Sequence, residues 1–78
     1  RHRVEHRLAR LLLQLRKVMP EGGLPITQDE LAQMLAVQRT TVTALAYGLK
    51  DSGLIAYSRG VIRILDAEQL DRLACDHR

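Results

Sequence analysis

Three features of the sequence predict a mainly α domain, with a three-helix core and a small β-hairpin or short sheet attached to it. Apolar residues recur at i, i+3, i+4 and i+7 in successive stretches, the mark of amphipathic helices. Two short runs of β-forming residues, separated by a turn, follow the third helical stretch. The chain has 78 residues, 46% of them hydrophobic and only 3% aromatic, enough for one aliphatic core and too few for two domains. Residues 1–78 are therefore read as a single domain.

The first helix is predicted over residues of about 3 to 19. Val4, Leu8, Leu11, Leu12, Leu15, Val18 and Met19 form its apolar stripe, while Arg3, Arg7, Arg10, Arg16 and Lys17 fall mostly on other faces. Pro20-Glu21-Gly22-Gly23 ends it, because proline cannot donate to the helix ladder and paired glycines favour open backbone.

Thr27-Gln28-Asp29-Glu30 has the form of a capping box, in which the threonine hydroxyl and the Glu30 carboxylate each satisfy an otherwise unpaired N–H. Ile26 and Leu31 occupy the positions of a hydrophobic staple around it. The second helix should run from about 28 to 35, with Leu31, Met34 and Leu35 as its apolar face. Ala32 is small enough to let another helix approach.

After Ala36-Val37-Gln38, a third helix is predicted from about 39 to 51, its apolar face made by Val42, Leu45, Ala46 and Leu49. Asp51-Ser52-Gly53 closes it, with Gly53 where a left-handed residue is expected after a helix. Two short helices across a three-residue turn form a helix-turn-helix unit.

Leu54-Ile55-Ala56-Tyr57 and Val61-Ile62-Arg63-Ile64-Leu65 read as a hairpin across Ser58-Arg59-Gly60. An isolated hairpin is only marginally stable, so it should pack on the helices and gain a third short strand around Leu24–Ile26. Residues 67–75, with Leu70, Leu73 and Ala74 on one side, complete the pattern as a terminal helix. The sum is a winged helix-turn-helix, the hairpin being the wing.

The net charge of +3 is unevenly distributed. Residues 1–17 carry +5, residues 18–36 carry −3, residues 37–65 carry +3 and residues 66–78 carry −2. Positive charge thus gathers on the first helix and on the third helix with its hairpin, as a phosphate-facing side requires. The single cysteine, Cys75, cannot form an internal bridge and points to a reducing, cytoplasmic setting. No stretch approaches the roughly 20 apolar residues of a membrane span. The chain opens at Arg1, inside the first helix, as a piece cut from a longer protein would.

Catalytic and metal chemistry are not indicated. His2 and His6 share a helix face, and Cys75 lies near His77, but neither pair completes a zinc ligand set. Cys75 as a nucleophile would need a base and an oxyanion site, and is read instead as a semi-buried thiol. No catalytic residue, metal or cofactor is expected in this domain.

The third helix carries the functional signal. Its apolar face leaves Arg39, Thr40, Thr43, Ala44, Tyr47 and Lys50 on the remaining surface. Small and hydrogen-bonding side chains in its first turns let a helix enter a major groove, where bulky ones would hold it away. Arg39 suits a bidentate contact to guanine, Thr40 and Thr43 suit a base edge or phosphate, and Ala44 a thymine methyl. Gln38 is a weak cap that can instead reach a phosphate, and Arg59 at the hairpin tip suits phosphate or the minor groove.

At this point the sequence resembles the Crp/Fnr regulators, bacterial transcription factors whose C-terminal domain is a winged helix-turn-helix. The resemblance is carried by Ile26-Thr27-Gln28-Asp29-Glu30-Leu31-Ala32, by Leu35-Ala36-Val37-Gln38-Arg39-Thr40-Thr41-Val42-Thr43, and by Leu49-Lys50-Asp51-Ser52-Gly53-Leu54-Ile55. It implies that Arg39 reads a guanine, that Thr40 reads bases and that Ala44 can add a third contact. It also implies backbone contacts by Thr41 and Thr27. Many members have Glu in place of Thr40 and Arg in place of Ala44, so the family's well-known operator half-site is not assumed for this chain. The resemblance further implies an N-terminal effector-sensing β-barrel that takes a cyclic nucleotide or another effector, a long dimerisation helix, double-stranded DNA as partner, and RNA polymerase as a further one.

The alternative is a winged helix used for protein interaction or dimerisation without DNA, through the third-helix face or the Leu11-Leu12-Leu13 run. Affinity for duplex DNA that falls steeply with salt separates the two readings.

Overall fold

The computed structural model describes residues 4–19 and 23–75. In chain order these form α1 (Val4–Val18), β1 (Leu24–Pro25), α2 (Gln28–Leu35), α3 (Arg39–Asp51), β2 (Ile55–Ser58), β3 (Val61–Ile64) and α4 (Ala67–Cys75). The breaker Pro20-Glu21-Gly22, together with His2 and His77, lies outside the described residues.

Four of the helix ends are closed by the local chemistry of the sequence. At the start of α2 the Thr27 hydroxyl accepts from the Glu30 N–H at 3.1 Å, and Glu30 Oε1 accepts from the Thr27 N–H at 2.8 Å. Both halves of the capping box are thus made. The end of α2 turns on Ala36, which is left-handed at φ 59° and ψ 45°. Its N–H donates to the Gln33 carbonyl, and the Val37 N–H donates to the Ala32 carbonyl at 3.0 Å. This is the Schellman arrangement, with alanine where glycine is usual.

The same closure ends α3: Gly53, at φ 80°, donates to the Lys50 carbonyl and Leu54 donates to that of Leu49. Asp66 caps α4, its Oδ1 accepting from the Gln69 N–H at 3.0 Å.

The sheet is antiparallel, in the order β1-β3-β2. Leu24 pairs with Ile62 and Pro25 with Val61, so the third strand expected near Leu24 joins β3 and leaves β2 on the far edge. Proline is tolerated because β1 is itself an edge. Gly23, at φ 90°, lets the chain enter this strand. A Cβ there would sit 2.7 Å from Val61 Cγ1 and 3.1 Å from the Ile62 carbonyl oxygen.

The wing is tighter than the expected three-residue connection. Ser58 pairs with Val61, leaving Arg59 and Gly60 as a two-residue turn with positive φ at both positions, 53° and 75°. That is the type I′ geometry, whose twist matches the strands it joins.

Helices and sheet share one apolar core, in which Leu8, Leu12, Leu31, Val42, Ile55, Ile62 and Leu70 are the largest fully buried side chains. No polar or charged residue is buried among the described residues. α1 packs chiefly on α4, and Arg7 ties it to the helix-turn-helix by donating from Nη2 to the Leu35 carbonyl at 2.8 Å.

Three expectations about burial are corrected. Val18 and Met19 are 71% and 41% exposed, because the apolar spacing of α1 runs on beyond the neighbours that bury Leu8 and Leu12. Met34 is 55% exposed, on a surface groove with Leu15, Met19, Pro25 and Ile26 rather than in the core. Cys75 is exposed, not semi-buried, since Ala74 takes the inward position of the last turn of α4.

Candidate nucleic-acid interface

At 100° per residue, the exposed side chains Arg39, Thr40, Thr43, Ala44, Tyr47 and Lys50 occupy one arc of about 140° on α3. Val42, Ala46 and Leu49 are buried on the other side, with Leu45 partly buried at the edge of that face. The helix is therefore anchored along one face and presents the other, whole, to solvent. Thr41 lies at the margin of the two and is half-buried.

The elements around α3 set its approach. Thr27 and Gln38 stand at the N-terminal caps of α2 and α3. The Thr27 hydroxyl is engaged by the capping box, whereas the Gln38 side chain makes no capping hydrogen bond. Arg59 occupies the turn between β2 and β3, on a separate element.

Two contacts join α2 to the exposed face of α3. Arg39 Nε lies 3.6 Å from Asp29 Oδ1, with both side chains about two-thirds exposed. One turn further along α3, the Thr43 hydroxyl donates to Gln28 Oε1. Neither partner was singled out from the sequence, although their position beside Thr27 in the first turn of α2 placed them near the turn.

Two other cations are assigned by the structure. Arg63 points outward on β3 and lines one cleft with Ser58 and Arg59. The signal for it was present, in the strand alternation that turns Ile62 inward and Arg63 out. Arg7, counted in the basic cluster of the first helix, instead hydrogen-bonds the end of α2, while Arg10, Arg16 and Lys17 remain exposed.

The Leu11-Leu12-Leu13 run is not an exposed docking strip, for Leu12 is buried and Leu11 and Leu13 pack against the core. Among the described residues, no three His, Cys, Asp or Glu side chains come together as a metal site. Nor is any described helix long and apolar enough to cross a membrane.

Comparison with known proteins places these features in a family context. The model of the Crp-like helix-turn-helix domain matches residues 6–73. Among solved structures, a Crp/Fnr-family protein from Eubacterium rectale superposes with a TM-score of 0.91 at 30% identity, covering 95% of this chain and 34% of that one. A Crp/Fnr-family transcriptional regulator from Thermus thermophilus gives 0.85 at 36% identity, covering 94% and 41%. The catabolite activator protein of the same organism gives 0.78 at 26% identity, covering 90% and 33%. This chain thus spans about a third to two-fifths of the length of these structures. No curated protein sequence matches it.

Proposed function

Because the chain belongs to the Crp-like helix-turn-helix family, a family of DNA-binding domains of transcription regulators, we propose that it reads double-stranded DNA by sequence, with α3 in the major groove. The observation that carries this reading is the uninterrupted exposed face of α3, rich in small and hydrogen-bonding side chains at its N-terminal end. Arg39 meets a guanine, Thr40 and Thr43 meet base edges or a phosphate, and Ala44 meets a thymine methyl. Thr27, Gln38 and Thr41 face the phosphate backbone at the helix N-termini, where unpaired N–H groups and the helix dipole favour anions. Arg59 extends the contact from the wing. With Thr40 and Ala44 in place of the residues common in the family, the preferred site differs from the usual half-site.

In the intact regulator, a homodimer joins two such domains on two half-sites and gains affinity through their linkage. Effector binding, of a cyclic nucleotide or another small molecule, and contact with RNA polymerase complete the proposed activity of the whole protein. In this reading the 78-residue span supplies the DNA-reading domain and performs no catalysis.

Selection of duplexes from a random pool, followed by titration of the selected duplex across a salt series, tests the reading. Affinity should fall steeply with salt through counterion release. Arg39→Ala should weaken the selected site by about 1–3 kcal/mol and relax preference at one base pair. A flat salt response would refute DNA binding and favour a protein partner. Equal loss on every duplex would reduce Arg39 to a phosphate contact.

A further inference from the structure

We propose that Asp29, on the first turn of α2, is a positioning residue for base recognition, aiming the Arg39 guanidinium by its contact to Nε. The inference rests on the reading of α3 as the helix that enters the major groove. Its basis is the 3.6 Å approach of Asp29 Oδ1 to Arg39 Nε and the parallel hydrogen bond from Thr43 to Gln28. Two consecutive residues of α2 thus hold two side chains one turn apart on the exposed face of α3.

Stability does not account for the pair. Both side chains are about two-thirds exposed, and an ion pair of that kind contributes little to folding. The favourable position of an acid in the first turn of α2 does not depend on Arg39. On a surface that meets phosphate, moreover, a carboxylate opposes binding.

What Asp29 changes is the state of Arg39. A guanidinium has five N–H donors, and engagement at Nε leaves the paired Nη1 and Nη2 groups free. That end presents the two parallel donors that match O6 and N7 of guanine. Holding the side chain before contact lowers the rotamer freedom lost on binding. An unheld Arg39 can swing to a neighbouring phosphate, which adds affinity for every sequence and discrimination for none. Asp29 therefore exchanges general affinity for selectivity, through its charge and through the direction it imposes.

The test uses the chain as wild type, Asp29→Ala, Arg39→Ala and the double variant. Each is titrated against the duplex selected by the wild type and against a scrambled duplex of equal length, with circular dichroism to verify folding. Asp29→Ala should bind the scrambled duplex more tightly and lower the ratio of selected to scrambled affinity by roughly three- to tenfold, around the lower end of what one lost base preference costs. In the Arg39→Ala background the same change should leave the ratio unaltered. If Arg39→Ala lowers the ratio but Asp29→Ala does not, Asp29 has no positioning role and the inference alone is overturned. If the wild type shows no salt-dependent binding, or if Arg39→Ala leaves the ratio unchanged, the reading of α3 fails and the inference with it.

Discussion

Replacing Ala36 with glycine should stabilise the domain, against the usual effect of that substitution. Ala36 is held at φ 59° and ψ 45° between α2 and α3, and its methyl group is exposed. A left-handed conformation costs an L-residue with a Cβ about 1–2 kcal/mol, a cost glycine does not carry. Against this, glycine loses about 0.5–1 kcal/mol more backbone entropy on folding than alanine. Little burial is lost, so the balance is a gain of about 0.5–1 kcal/mol. For a domain of this size that raises the melting temperature by roughly 2–8 °C.

Thermal melts followed by circular dichroism, with urea titration to verify an unchanged m-value, would measure it. Ala44→Gly supplies the control, being the same chemical change at another exposed alanine but within regular helix. It should destabilise by about 0.5–1 kcal/mol. An Ala36→Gly variant that melts at or below the wild type, with the control behaving as expected, would show that the left-handed turn carries no relievable strain.

Other perturbations follow from single contacts. Gly23→Ala should cost about 2–3 kcal/mol in urea titration, since its Cβ would meet Val61 Cγ1 and the Ile62 carbonyl oxygen at a left-handed φ of 90°; a smaller loss would mean that β1 shifts freely. Arg7→Ala should destabilise by about 1 kcal/mol through the hydrogen bond lost to the Leu35 carbonyl. An unchanged midpoint would return Arg7 to the solvated surface. Arg59→Ala should weaken binding to all duplexes alike and reduce the salt slope by about one, whereas an unaltered slope would remove the wing from the interface.

The exposed face of α3 was legible in advance because it depends on one period: Val42, Leu45, Ala46 and Leu49 fall inward, and the remaining positions turn outward. The partners of that face were not legible. Asp29 and Gln28 reach Arg39 and Thr43 only at the angle between α2 and α3. Likewise, Met34 satisfies the spacing of a core residue, and only the packing of α1, β1 and α2 leaves it on an open surface groove.

The sequence by itself determined the bounds of α2 and α3, the capping box of Thr27 and Glu30, the closure at Gly53 and the existence of a hairpin. These depend on backbone groups finding partners within a few residues, and local side chains decide that. The tertiary structure alone decided that β1 pairs with β3, that Arg7 caps α2, and that Asp29 stands beside Arg39. Strand partnering and contacts across helices depend on where distant segments meet, which burial of the whole core sets and no local pattern encodes.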